Sequence, residues 1–358
     1  MTASLSKSHK IENGNVRILI TGHTGFKGTW LTLLLRELGF EVAGYSLEAT
    51  PESLYASINQ DLCDFEVVGD IRDRDLFLRS IKSFKPNYAI HMAAQPLVRK
   101  SYEKIYETFE VNVLGTANIL EACREIEDLI AIGVVTTDKV YLNDDTSRRF
   151  SEISPLGGKD PYSASKVGTE SAVMAWRALF QNGLATNASI LSLRAGNVVG
   201  GGDLAEDRLL PDIVRSLKSK VPVSIRNSKS TRPWQHVLDP VYGYLQAIIE
   251  SKPSTYEDFN FGPIESSLEV EKVVEIAEKH WRNLPKHRLE ENSEKNLKES
   301  QLLELDPRKA MKELNWSPVW TQESAIMKTL NWWENVHKGD LSPLEACKKD
   351  IQDFLNHK

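Results

Sequence analysis

The stretch Arg17-Ile18-Leu19-Ile20-Thr21-Gly22-His23-Thr24-Gly25-Phe26-Lys27-Gly28-Thr29-Trp30 decides the fold. Arg17 to Ile20 is a short apolar run that reads as a buried strand. Trp30, Leu31, Leu34, Leu35 and Leu38 then recur at helical spacing until Gly39 ends the run. Gly22, Gly25 and Gly28 therefore lie on the turn from a first parallel strand into a helix. Glycines allow positive φ and close backbone approach, and the unpaired N–H groups at a helix start attract anions, so the turn suits a dinucleotide pyrophosphate. The spacing is GxxGxxG, and a tight strand-to-helix corner with no ligand is the plain alternative. Its place before an amphipathic helix favours the coenzyme.

A chain of 358 residues, 41% of them hydrophobic, can bury one large core or two modest ones. Lys and Arg number 44 against 50 Asp and Glu, so no global basic field points to nucleic acid or an anionic membrane. Cys63, Cys123 and Cys347 are scattered and odd in number. They make neither a disulfide framework nor a metal-ligand spacing, and the cytoplasm is the expected compartment. The first 15 residues are polar, and no apolar run approaches the ~18 residues that a membrane span needs, so no membrane partner is expected.

Along the chain, Glu41 to Leu47 reads as the second strand, with Tyr45-Ser46 at its tip and no basic residue close by. A 2′-phosphate would find no partner there, which favours NAD over NADP. Phe65 to Asp73 contains a third strand; Asp70, beside Ile71, either accepts from the adenine amino group or serves as a turn or helix cap. A fourth strand, Tyr88 to Gln95, runs into Ala93, Ala94 and Gln95, small enough to let a flat ring approach, while His91 is expected to pack against the sheet. A long helix is expected from Thr108.

The fifth strand, Ile132 to Thr136, leads into Thr136-Thr137-Asp138-Lys139-Val140-Tyr141, and Asp160-Pro161-Tyr162-Ser163-Ala164-Ser165-Lys166 follows. With Pro161 at a helix start, Tyr162 and Lys166 project from one face. A cation beside a phenol favours phenolate, giving a general base for an alcohol that is being oxidised. A surface tyrosine with an i,i+4 lysine is the plain alternative, outweighed by the preceding glycine turn and βα units.

The strand–helix alternation predicts an α/β chain with a doubly wound parallel sheet, the Rossmann arrangement, over 16–190, with 234–260 returning to it. A smaller α/β substrate domain is expected from 191–233 and 261–345, with polar tails at 1–15 and 346–358. Leu191 to Asp203 opens into a glycine-rich loop, and Arg208 and Arg232 are candidates to clamp a second diphosphate or, alternatively, surface ion-pair partners. The tryptophans at 316, 320, 332 and 333 are read as packing.

TGHTGFKG, HMAAQPLVRKSY at 91–102, NVLGT at 112–116, TTDKVY at 136–141, DPYSASK at 160–166, RAGNVVGGGD at 194–203, EDRLLPDIVR at 206–215, RPWQHVLDP at 232–240 and NFGP at 260–263 together resemble the extended short-chain dehydrogenase/reductase superfamily. Within it they are similar to the CDP-sugar branch of the nucleotide-sugar 4,6-dehydratases. The resemblance implies that CDP-D-glucose (CDP-glucose) loses water with NAD as a tightly held coenzyme, giving CDP-4-keto-6-deoxy-D-glucose. It implies coenzyme contacts from Gly22, Thr24, Gly25, Phe26, Lys27, Gly28, Asp70, Ile71, Ala93, Ala94 and Gln95 and from Tyr162 and Lys166, the last holding the nicotinamide ribose, and diphosphate contacts from Asn197, Arg208 and Arg232. Tyr162, Lys166 and Thr137 would oxidise C4, with Asp138 as the acid at O6. Lys139 would be the base at C5, or else a charged stabiliser of the enolate; burial beside Lys166 would favour the base. A 4-epimerase would share the glycine turn and YxxxK but needs no acid/base pair, and a non-catalytic scaffold would not need an intact Tyr/Lys pair. The helices near 108–124 and 162–181 suggest, with the family, a homodimer through a four-helix bundle. The segment from Leu142 to Lys159, including Arg148-Arg149 and Glu152, follows the family only loosely and is expected near the sugar pocket.

Overall fold

The computed structural model describes residues 16–144, 149–225, 227–289 and 303–358. Seven strands form one sheet: β1 (Arg17–Thr21), β2 (Glu41–Ser46), β3 (Phe65–Val68), β4 (Tyr88–His91), β5 (Ala131–Val135), β6 (Ser189–Ala195) and β7 (Asp258–Phe261). Their spatial order is β7-β6-β5-β4-β1-β2-β3, and every neighbouring pair is parallel. The order reverses between β1 and β4, so the connections after these strands leave in opposite directions and a crevice opens at their C-terminal ends.

Alternation along β1 shows how the sheet is covered. Ile18 and Ile20 join a core that includes Trp30 and Leu34 of α1 (Phe26–Glu37), whereas Leu19 joins a second core with Phe77 and Ile81 of α2 (Arg74–Phe84). Ile119 and Leu120 of α3 (Gly115–Cys123) and Val173 of α4 (Pro161–Gln181) complete that second core. Burying each such side chain contributes roughly 1.5–3 kcal/mol, which is why strands covered on both faces read as continuous apolar runs. The helix expected from Thr108 begins earlier, at Ile105–Phe109, and passes through a π-helical turn at Glu110–Leu114 before α3. Buried Asn112 on that turn accepts from Gln95 N at 2.8 Å and donates to Ser165 Oγ at 2.8 Å, tying β4's loop to α4.

The remaining residues build a second lobe on short strand pairs, Val198–Val199 with Gln235–His236 and Thr231–Arg232 with Leu268–Glu269, together with α5 (Leu209–Ser219). The expected boundary at 190/191 falls inside β6, because Ser189 to Ala195 are all buried between strands and helices of the sheet. Within 234–260, α6 (Leu238–Glu250) packs against α1 and β7 lies at the sheet edge. Trp316, Trp332 and Trp333 are buried as packing, the last two from α7 (Gln322–Lys338).

The polar helical tail expected at the C-terminus is a helix, α8 (Pro343–Asn356), started by a Ser342/Glu345 capping box, and it is docked rather than free. Its buried Cys347, Ile351 and Phe354 follow helical spacing inside a charge-rich stretch, and Phe354 packs edge-on to Tyr242 and Trp320. The expected tail at 1–15 and the polar stretch at 290–302 lie outside the described residues. Among those described, no helix is long and apolar enough to cross a membrane.

Asp350, on the inner face of α8, is 7% exposed, and burial pushes its carboxyl up to about 7 against the attraction of Lys328. A carboxyl whose folded pKa exceeds its unfolded value of about 3.9 stabilises the fold below that value, and the contribution is lost as pH rises through about 7. Asp350→Asn is therefore expected to gain on the order of 1–3 kcal/mol over wild type in urea unfolding at pH 8 and little at pH 4. An equal difference at both pH values would contradict this burial.

Candidate active site

A cleft of about 1870 Å³ runs along the C-terminal ends of the strands, between the sheet and the second lobe. It gathers every site residue expected from sequence: those of the glycine turn, Asp70, Ile71, Ala93, Ala94, Gln95, Thr137, Asp138, Lys139, Tyr162, Lys166, Asn197, Arg208 and Arg232.

At one end, Gly22 has φ +79°, and a Cβ there would stand 2.8 Å from the Ala93 nitrogen. A Cβ on Gly28 would stand 2.1 Å from the Gly22 carbonyl oxygen. Only glycine lets the turn close this tightly. No side chain caps α1, so its first N–H groups face the cleft as an anion site, and the cradle fits a dinucleotide pyrophosphate.

Nearby, Asp70 accepts from Arg72 through the backbone nitrogen at 2.8 Å and through Nη2 at 2.6 Å. That guanidinium holds the carboxyl below the usual range. The geometry matches the turn reading; the cap of α2 is Asp73. Arg72 is also a cation that the tip of β2 was not expected to have, and Asp70 and Glu110 balance its charge. His91 sits between Thr21 Oγ1 at 2.6 Å and Thr116 Oγ1 at 3.0 Å, its pKa lowered to about 3 by burial: a neutral imidazole packed into the sheet, as expected.

In the middle of the cleft, an Asp160/Ser163 capping box and Pro161 start α4 one residue before Tyr162. Tyr162 and Lys166 are consequently on its buried face. Burial pushes the Tyr162 phenol up to about 12 and the Asp138 carboxylate adds to the effect, while a hydrogen bond with Thr137 and the nearby Arg208 act against it. Arg208, from the second lobe, is a neighbour that YxxxK spacing does not reveal. Lys166 donates to the Val135 carbonyl at 3.3 Å; burial lowers it to about 8, with Glu170 opposing.

Beyond β5, the Thr137 hydroxyl donates to Asp138 Oδ1 at 2.9 Å at the start of a 3-10 turn, Asp138–Val140. Asp138 is 2% exposed, and its Oδ2 has no hydrogen-bond partner among the described residues. Burial raises its pKa above the ordinary carboxylate range despite Lys139, Arg232 and Lys27. It is thus suited to carry a proton into the cleft. Lys139 lines the wall half-buried, without the deep burial expected beside Lys166.

Several features were not foreseen. Lys27 reaches inward from the glycine turn, donating to Tyr244 Oη at 3.5 Å, and its amine falls to about 7 through burial and the nearby cations Arg208 and Lys166. Arg208 is held by Asp203 at 3.0 Å, and Arg99 pairs with Asp207 at 2.9 Å, joining the coenzyme side of the cleft to the second lobe. Nothing in the local sequence pairs these groups. None of the described residues of the segment after Tyr141 lines the cleft. Phe150 stacks on Tyr141 and bridges to Leu305, so apolar contact with 303–305 draws the segment away; Arg148 lies outside the described residues.

A family model described as GDP-mannose 4,6 dehydratase matches residues 19–329. The chain belongs to this family. It is 40% identical to the CDP-glucose 4,6-dehydratase of Salmonella typhimurium, over 95% of this chain and 96% of that one. To a dTDP-glucose 4,6-dehydratase of Xanthomonas campestris it is 27% identical, over 88% and 92%. Among solved structures, DesIV, a dTDP-glucose 4,6-dehydratase from Streptomyces venezuelae with NAD bound, superposes with a TM-score of 0.75 at 22% identity, covering 92% of this chain and all of that one. The UDP-glucose 4-epimerase of Thermus thermophilus in complex with NAD gives 0.74 at 25% identity, covering 89% and 99%. The superfamily expected from the motifs is the one found, and the fold is that of the family's dehydratases and epimerases.

The cradle gives a direct check. Gly28→Ala is expected to weaken NAD binding at least ten-fold in a fluorescence titration, since the added methyl must displace the Gly22 carbonyl. Unchanged affinity would remove this turn from the site.

Proposed function

We propose that this chain is an NAD-dependent hydro-lyase that converts CDP-D-glucose into CDP-4-keto-6-deoxy-D-glucose. The observation that carries the reading is Asp138: a buried carboxyl with a free oxygen, adjoining Lys139 and beside Tyr162, in a chain 40% identical to a CDP-glucose 4,6-dehydratase. A 4-epimerase has no use for such an acid.

The glycine turn with Thr24, Phe26 and Lys27, the Asp70-Ile71 corner and Ala93-Ala94-Gln95 are the residues that would hold NAD. When bound, NAD supplies a reversible two-electron acceptor for oxidation at C4 and reduction at C6. Tyr162 removes the O4 proton, with Thr137 hydrogen-bonding the sugar oxygen and Lys166 and Arg208 favouring the phenolate. The resulting 4-ketone acidifies C5–H. Lys139 takes that proton, and Asp138 protonates the departing C6 hydroxyl, which leaves as water. Asn197, Arg208 and Arg232 hold the nucleotide diphosphate through charge-assisted hydrogen bonds.

A second copy of the chain covers the exposed apolar side chains of Ile105, Tyr106, Phe109 and Leu114 and of Met174 on α4. Tyr106 alone is 77% exposed. Such a patch on two neighbouring helices suits a symmetric four-helix contact. Three free cysteines suit the reducing cytoplasm. Tyr106→Arg should convert the dimer to monomer in light scattering; a wild-type monomer would end this part of the reading.

The reaction is tested by giving the protein CDP-glucose, dTDP-glucose and GDP-mannose separately in deuterated water. A 4-keto-6-deoxy sugar labelled at C5 is expected from CDP-glucose alone; a galactose product would make the chain an epimerase, and no turnover despite bound NAD a scaffold. Lys139→Ala should still reduce the coenzyme, seen as trapped NADH, while losing dehydration by about 10²-fold or more. Full dehydratase activity in that variant would take Lys139 out of the mechanism.

A further inference from the structure

Behind the cleft lies a buried ion pair that the mechanism does not use. Arg194 on β6 and Glu170 on α4 are each 2% exposed, and neither lines the cleft. Arg194 donates to Glu170 through Nε at 2.8 Å and Nη2 at 2.9 Å, and Nη2 also reaches Asp258 Oδ2 at 2.9 Å. Its remaining nitrogen, Nη1, donates to Tyr141 Oη at 3.0 Å. The two Glu170 oxygens accept further from Thr136 Oγ1 at 2.6 Å and Ser192 Oγ at 2.9 Å. Burying two charges so completely rarely gains net stability over an apolar pair of the same shape, so stability alone does not account for it.

What the pair grips is informative. Thr136 immediately precedes Thr137-Asp138-Lys139, and Tyr141 stands two residues after Lys139. Glu170 stands four residues after Lys166 and eight after Tyr162, on the same face of α4. One ion pair therefore fastens both ends of the acid/base turn to the helix that carries the oxidising pair.

Resting on the functional reading above, we propose that Glu170 and Arg194 are positioning residues: they set the placement of Asp138 and Lys139 relative to Tyr162 and Lys166, so that oxidation and elimination act on one bound sugar. The same carboxylate opposes the loss of charge that burial imposes on Lys166. Misplacement of reacting groups by a fraction of an ångström to an ångström costs rate far more than binding.

Three hydroxyl deletions separate positioning from mere stability, Tyr141→Phe also removing the bond to Asn260 Oδ1. Thr136→Val and Tyr141→Phe each release one end of the turn, whereas Ser192→Ala removes a hydrogen bond to the same carboxylate from a strand outside it. With CDP-glucose, Thr136→Val and Tyr141→Phe are expected to lower kcat about ten-fold or more with KM within two-fold and to accumulate NADH. Ser192→Ala should keep wild-type kcat at a comparable loss of Tm, and Thr136→Ser, which retains the hydroxyl, should restore elimination. Should one release variant fail to fold, the other still decides against Ser192→Ala. Equal kcat in the release variants and Ser192→Ala overturns the proposal alone. An inactive wild type overturns it together with the functional reading.

Discussion

No side chain fits between the β1–α1 turn and the end of β4. Gly22 lies against the Ala93 nitrogen and Gly28 against the Gly22 carbonyl, and the rest of the site is arranged around that contact. It lets α1 leave the sheet immediately after β1, directing its uncapped N-terminus along the crevice where the strand order reverses. Backbone N–H groups and a helix dipole thus face the end of the cleft where the coenzyme is proposed to lie, opposite the side chains that follow β5 and those of α4.

Those side chains are organised by burial. Asp138, Tyr162 and Lys166 lie in the same dry region, and burial drives each toward its neutral form: the carboxyl up, the phenol up to about 12, the ammonium down to about 8. Arg208, itself paired with Asp203, is the cation that brings the phenol back down. Proton exchange in this cleft therefore depends on charges supplied by both lobes. Burial biases the Asp138 carboxyl toward its protonated form beside the Tyr162 phenol, the arrangement that the proposed elimination coupled to oxidation would use.

Local spacing made much of this legible. Glycines between an apolar run and an amphipathic helix, and a Tyr/Lys pair one turn apart after a proline, are each governed by backbone geometry within a dozen residues. Partners brought together by tertiary packing were not legible: Tyr141 with Arg194 is 53 positions apart, Arg99 with Asp207 over a hundred. Asp70 was read as a contact to the adenine amino group or as a turn or cap, but its guanidinium partner was missed because Arg72 is read as a surface charge until the corner is folded. In the segment after Tyr141, Phe150 finds Leu305, a contact absent from any local pattern. The apolar stripe of α8 was hidden by the charges between its members.

The sheet is completed late in the chain. Between β6 and β7 the backbone leaves to build much of the second lobe, and β7 then returns Asp258 to Arg194 and Asn260 to the Tyr141 hydroxyl at 2.7 Å. A nascent chain emerging from the ribosome can therefore assemble its six leading strands yet lack the edge that holds the Asp138–Val140 turn. Long loop closure must come first, which makes this half of the molecule slow to assemble.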